Sequence, residues 1–152
     1  MRTRIFKAMV VTSFLIGTAY AQTATQPDTN TSVASNGLNG ALNACYTAIG
    51  DQPRTALQSC LNSKLLQATA HMHIAYEKTK TVTKKIDSSA TAKALVSLRN
   101  SQQSFENFKN AQCQWQGDAA MGGSGAGDFI ISCKIDLTEW RTGQLSIQNG
   151  NS

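Results

Sequence analysis

The sequence has few of the residues from which small enzymes and metal proteins build their sites. It has two histidines, His71 and His73. On a helix, side chains two residues apart point roughly 200° away from each other. They are therefore poorly placed to share a metal or to form a catalytic dyad. No two cysteines have the close C-x-x-C spacing of a zinc site, and no pair of carboxylates stands out as a glycosidase site. These absences indicate a protein that is not an enzyme and has no cofactor.

The sequence also lacks an apolar run long enough to cross a bilayer. The longest, residues 8–20, is too short to span one as a helix. It follows Arg2, Arg4 and Lys7 and ends at Ala19-Tyr20-Ala21, which is a cleavage site of the A-x-A type. We therefore predict a secretory signal peptide over residues 1–21. No cysteine follows it directly, so a lipid anchor is not indicated, and we expect a periplasmic or secreted protein without a stable membrane anchor.

Acidic residues are fewer than basic ones, but the excess is mostly in the predicted signal peptide. The whole chain has 14 Lys and Arg against nine Asp and Glu. Three of the basic residues and none of the acidic ones lie in residues 1–21, so cleavage lowers the net charge from +5 to +2. Such a weak charge gives no support to binding of nucleic acid.

Four cysteines, an even number, remain in the mature chain: Cys45, Cys60, Cys113 and Cys133. An even count in a small exported protein predicts two disulfides. Three pairings are possible, and the sequence does not choose among them. The pairs Cys45–Cys60 and Cys113–Cys133 are slightly favoured because both close short loops.

Alternating apolar and polar residues, the pattern of a strand, are also absent, whereas helical spacing recurs four times. We predict an all-α, four-helix bundle-like domain over residues 37–147, in which the second and third helices form a long antiparallel hairpin. Residues 22–36 are polar and are predicted to be a disordered lead, and residues 148–152 a frayed tail. The apolar stripes include Leu42, Tyr46, Leu57, Leu61, Met72, Ile86, Phe105, Phe108, Leu137, Trp140 and Leu145.

A glycine-rich segment, predicted to be a loop over residues 114–127, contains Gly122-Gly123-Ser124-Gly125-Ala126-Gly127. No Lys-Ser or Lys-Thr follows it, no strand precedes it, and it lacks the final glycine of a nucleophile elbow. It is therefore either a flexible crossover between two helices or a projecting contact loop. Trp115, near its start, either covers the disulfide or is an exposed anchor for a partner.

The residues on both sides of this segment resemble a known family. The first half contains Leu98, Gln102, Phe105, Lys109 and Cys113. The second half contains, at the same spacing as in the family, Cys133, Leu137, Thr138, Arg141 and Leu145. Together they resemble the LprI-like lysozyme inhibitors, which are small, exported, helical proteins of bacteria. Phe105 and Lys109 stand where the family usually has tryptophan and arginine.

The resemblance implies a secreted or periplasmic inhibitor of lysozyme or another muramidase, acting by inserting a loop into the substrate cleft. In this interpretation Ser124 hydrogen-bonds a catalytic carboxylate, and Asp118 or Asp128 meets basic residues at the cleft rim. Trp115 and Gly123 complete the predicted partner-binding set. The net charge of +2 provides no long-range attraction to a cationic lysozyme. The alternative is a cell-envelope interaction or immunity protein without inhibitory activity.

Four further residues of the family pattern have a predicted structural role. Gln102 and Lys109 are seven residues apart on one helix face, and Arg141 is expected near one of them across a helix pair. We expect Gln102, Phe105, Lys109 and Arg141 to hold the helices in register and not to touch a partner.

Overall fold

A computed structural model describes residues 40–150, with side chains to residue 148. The described residues contain four helices and no strand, which confirms the all-α prediction. None of these helices is long and apolar enough to cross a membrane. The predicted signal peptide (1–21) and lead (22–36) lie outside the described residues. The helices are α1 (Gly40–Ile49), α2 (Arg54–Lys84), α3 (Thr91–Ala119) and α4 (Ala126–Gly150).

Local sequence explains where α1 ends and α2 begins. Gly50 has a φ of +54°, a left-handed conformation that suits glycine, and its N–H donates to Tyr46 O at 3.1 Å. Pro53 precedes α2, where its missing N–H costs nothing. At the other end of the chain, α4 continues to Gly150, so three residues of the predicted frayed tail are helical.

The last helix is the centre of the bundle. Helix α4 packs against all three other helices, and it packs against α2 and α3 more extensively than these pack against each other. The core has two parts. The first includes Leu42, Leu57, Leu61 and Ile135 from α1, α2 and α4, and the second includes Met72, Phe105, Leu137 and Leu145 from α2, α3 and α4.

The two disulfides pair as the short-loop preference predicts. Cys45–Cys60 joins α1 to α2 with a Cα–Cα distance of 5.8 Å, and Cys113–Cys133 joins α3 to α4 with a distance of 5.4 Å. One disulfide lies in each part of the core. Each disulfide therefore links two consecutive helices, and together they leave no free cysteine in the described chain.

Helix α1 has no acidic residue in its first turn, and α4 caps it instead. The Leu42 N–H donates to Ser132 Oγ at 2.9 Å, and the Ala41 N–H donates to Asp136 Oδ1 at 3.0 Å. These bonds satisfy donors that a helix start leaves unpaired. Burial raises the pKa of the Asp136 carboxyl, against smaller lowering contributions from the backbone N–H groups of Ala41 and Gly40.

Several apolar residues that the helical spacing assigns to the core are exposed. Tyr46, Ile86, Phe108 and Trp140 each keep about half of their surface accessible. For Tyr46 on α1 and Phe108 on α3 the reason is geometric: α4 occupies the centre, so each outer helix buries only the narrow stripe that faces it. Ile86 lies beyond the end of α2, and Trp140 lies on α4 itself. Spacing alone defines a wider stripe than this arrangement can cover.

Candidate functional site

The connection between α3 and α4 is much shorter than predicted. It comprises residues 120–125, here called the α3–α4 turn. The predicted loop over residues 114–127 is therefore wrong at both ends. Trp115 and Asp118 lie on the last turns of α3, and Asp128 lies in the first turn of α4. Of the predicted contact residues, only Gly123 and Ser124 lie on the turn itself.

Gly117 explains why the glycine-rich composition is misleading here. It lies inside α3 and is buried against α4. A Cβ at this position would come within 2.4 Å of Ile130 Cγ1, far closer than real contacts allow. This glycine therefore lets two helices approach each other closely and does not make the segment flexible.

The α3–α4 turn has a defined backbone. Met121 N–H donates to Asp118 O at 3.0 Å, and Gly123 N–H donates to Ala120 O at 3.1 Å. Met121 and Gly122 both have positive φ, at 52° and 74°. Glycine adopts this conformation freely, whereas a non-glycine residue adopts it at some cost. A methionine held there is unusual, and its side chain is 92% exposed.

Arg54, the first residue of α2, fixes the base of the turn. Its Nη1 donates to Ser124 Oγ at 3.2 Å, and its Nη2 donates to both Ser124 O and Asp128 Oδ2. The Arg54–Asp128 ion pair has a nitrogen–oxygen distance of 2.6 Å, and only 4% of the Asp128 side chain is exposed. This arginine thus connects α2, the turn and α4 through charge-assisted hydrogen bonds.

The Arg54 contacts change what two predicted site residues can do. Asp128 is buried and already paired, so it is not placed to meet a basic residue of a partner. Ser124 is exposed, and its hydroxyl accepts from Arg54 without using its own proton. Gly123 is restricted by the turn itself, since a Cβ there would lie 3.2 Å from Ala120 O.

An apolar surface surrounds the turn. Trp115 is 64% exposed, so it does not bury itself over the disulfide. It lines a shallow hollow of about 300 Å³ with Ala119, Ala120 and Phe129. Asp118, also exposed, accepts a hydrogen bond from the amide of Gln114 at 3.0 Å. The surface near the turn therefore combines an indole, a projecting methionine and one exposed carboxylate.

A second cluster of side chains lies further along α3 and α4. Arg141 Nε donates to Gln102 Oε1 at 3.1 Å, and Gln102 in turn donates to Glu106 and to the sulfur of Met72. These contacts join α2, α3 and α4. Burial lowers the pKa of Arg141, and the charge of Glu106 acts in the opposite direction.

The ring of Phe105 packs against two cations of this cluster. Lys109 Nζ is 5.4 Å and Arg141 Cζ is 5.6 Å from the centre of its ring. Lys109 is buried and pairs with Glu106 at 2.7 Å. The ion pair satisfies the charge of Lys109 inside the fold. The contacts of both cations with the Phe105 ring are in keeping with a role in helix register, which remains a prediction.

Sequence reasoning missed Arg54 and Met121. A signal existed for the first, because a basic residue at a helix start opposes the helix dipole and therefore calls for a partner elsewhere. No local pattern distinguishes Met121, since its exposure depends on how the two helices meet. In the described part of the chain, no group of three or more His, Cys, Asp or Glu side chains could hold a metal ion.

Comparison with known proteins gives one match. A search of curated proteins and a search of solved structures found nothing similar. A profile of the family described as "Lysozyme inhibitor LprI" matches residues 45–145, which include both disulfides, the α3–α4 turn and the Arg141 cluster. The match covers about two thirds of the chain, and the protein therefore belongs to the LprI lysozyme inhibitor family.

Proposed function

We propose that the protein is a periplasmic or secreted inhibitor of lysozyme, and that the α3–α4 turn occludes the substrate cleft of the enzyme. Family membership supports the class of activity. The observation that carries the choice of surface is Met121, which is 92% exposed at a positive φ in a turn fixed by Arg54. The two disulfides favour an oxidising compartment.

The turn suits an occluding element because it is short and preorganised. Six residues connect two helices that a disulfide holds together, so little chain entropy is lost when a partner binds. Met121 would enter the cleft, with Trp115 packing at its edge as an aromatic anchor. The hydroxyl of Ser124, whose O–H is not used in the contact with Arg54, could donate a hydrogen bond to one of the two catalytic carboxyl groups that lysozymes carry.

Any electrostatic attraction to a cationic lysozyme would come from single residues near the turn and not from the net charge. The expected net charge of the exported chain is +2, which does not favour encounter with a cationic lysozyme. Asp118 is an exposed carboxylate near the turn, whereas Asp128 contributes by holding Arg54. Binding in this account depends mainly on apolar contact and shape.

A lysis assay tests this proposal. Lysozyme is mixed with excess purified protein, and the turbidity of lysozyme-sensitive cells is followed. We expect protection by the natural protein and a loss of protection for Met121→Ser and Trp115→Ala. Leu66→Ser is the matched control, because Leu66 is 74% exposed and lies twelve residues, about 18 Å, along α2 from Arg54.

Circular dichroism verifies that all variants keep their helical content. Absence of protection by the natural protein would overturn the inhibitor proposal and favour a non-inhibitory role in the cell envelope. Equal loss of protection in Leu66→Ser and Met121→Ser would overturn the choice of the turn as the inhibitory surface.

A further inference from the structure

A polar cleft lies at the other end of the helices, away from the α3–α4 turn. The last turns of α2, the first half of α3 and the end of α4 enclose about 510 Å³, a volume within the range of small-molecule sites. Its walls include Thr83, Ser97, Ser101 and Gln144 beside aliphatic side chains, and the Thr83 hydroxyl donates to Thr79 O. The proposed function leaves this cleft unused.

Arg141 gives the cleft a cation without a carboxylate partner. Its Nε donates to Gln102, and its Nη2 donates to Ser101 Oγ at 3.1 Å. No Asp or Glu among residues 40–148 forms an ion pair with it. The nearby Glu106 is itself paired with Lys109. A partly buried guanidinium held in a fixed orientation, with N–H groups to spare, is a receptor for an anionic oxygen.

Trp140 supplies a flat apolar surface beside this cation. Its ring centre is 6.3 Å from that of Phe105, a contact that orients the indole, and 54% of Trp140 remains exposed. A half-exposed indole next to hydroxyl, amide and guanidinium groups matches the two sides of a sugar ring. The C–H face of a sugar ring packs on an aromatic surface, and the hydroxyls of the sugar form hydrogen bonds with polar side chains.

We propose that this cleft binds a saccharide that bears a carboxylate, with the carboxylate on Arg141 and the sugar ring against Trp140. The polar side chains of the walls then receive the sugar hydroxyls. This site is separate from the turn, so it does not depend on inhibition of lysozyme. An inhibitor with such a site would be able to bind lysozyme at the turn and, at the same time, a glycan with a free carboxylate at this cleft.

The test compares three probes by calorimetry and by ligand-observed NMR. N-acetylmuramic acid carries a sugar and a carboxylate, N-acetylglucosamine carries the sugar alone, and lactate the carboxylate alone. We expect binding of N-acetylmuramic acid in the millimolar range and at least about tenfold weaker binding of the other two. Equal binding of lactate, equal binding of N-acetylglucosamine, or no binding of N-acetylmuramic acid would each overturn the proposal.

Variants locate the binding. Arg141→Gln should weaken binding of N-acetylmuramic acid about tenfold, since a charge-assisted bond is lost. Gln144→Glu places a negative charge in the cleft without touching the Arg141–Gln102 bond, and it should weaken binding even if Arg141→Gln fails to fold. Arg99→Gln is the control, because Arg99 is an exposed α3 arginine outside this cleft. Unchanged binding in Gln144→Glu, or equal weakening in Arg99→Gln, would contradict the assignment.

Discussion

At the scale of single residues, two helical glycines in the same bundle differ in what surrounds them. Gly117 in α3 faces Ile130, whereas Gly143 in α4 has nothing within 4 Å of where its Cβ would lie. Alanine stabilises an open helical position by about 1 kcal/mol over glycine. Overpacking costs about 1–3 kcal/mol, so crowding decides the sign at Gly117.

We predict that Gly117→Ala lowers the free energy of unfolding by up to about 2 kcal/mol, whereas Gly143→Ala raises it by about 1 kcal/mol. Urea unfolding of both variants measures this. The cost of Gly117→Ala should shrink in an Ile130→Ala background, because the clashing side-chain atoms are gone and only Ala126 O, 3.3 Å from the new Cβ, stays close. A more stable Gly117→Ala single variant would show that the helices do not need this close approach.

At the scale of secondary-structure elements, the starts of α1 and α2 are both fixed by α4. Asp136 and Ser132 cap α1, and Asp128 holds Arg54 at the start of α2. None of these partners is near its helix in sequence. Helix α4 therefore positions the ends of other helices in addition to filling the core.

The Arg54 contacts predict an effect on the turn. Arg54→Met should lower the free energy of unfolding by about 1–2 kcal/mol, because the buried carboxylate of Asp128 loses its partner. Hydrogen exchange of the amides in residues 120–126 should accelerate more than that of α2. The control is Lys80→Ala, which removes the partly exposed Lys80–Glu77 pair and should change stability little. Equal effects of the two variants would mean that Arg54 does not hold the turn.

The cap on α1 predicts a dependence on pH. Burial raises the pKa of Asp136 in the folded state, which means that the charged carboxylate is less stable in the folded protein than in the unfolded chain. Its contribution to stability is complete below the unfolded pKa and is lost as pH rises through the folded pKa. Asp136→Asn keeps an acceptor for the Ala41 N–H but does not titrate in this range.

The stability of the natural protein relative to Asp136→Asn should therefore fall as the pH rises above about 4, the ordinary pKa of an aspartate. Urea unfolding of both proteins at several pH values measures the difference. A difference that is constant, or that rises with pH, would show that the carboxyl does not bear this desolvation cost.

At the scale of the whole molecule, the sequence predicts the architecture better than the site. Helical spacing and cysteine parity lead to the all-α fold with two disulfides, because both are repeated along the chain and are local in origin. The site depends on tertiary contacts that no local pattern records. Gly117 resembles a loop residue until Ile130 is seen opposite it, and Asp128 resembles a contact residue until Arg54 is seen beside it.

The two ends of the molecule differ in the chemistry that they offer. The α3–α4 turn carries apolar contact residues at a preorganised connection, and the Arg141 cleft carries a cation with hydroxyl groups. The central claim is that lysozyme binds at the α3–α4 turn and not at the Arg141 cleft.

Titration of the isotope-labelled protein with unlabelled lysozyme, followed by amide NMR, tests this claim most directly. The account predicts that chemical-shift changes and line broadening centre on residues 115–125, whereas the amides around Arg141 and Gln144 change little. Changes centred on the Arg141 cleft, or no change at a ratio of protein to lysozyme at which the protein protects cells from lysis, would contradict it.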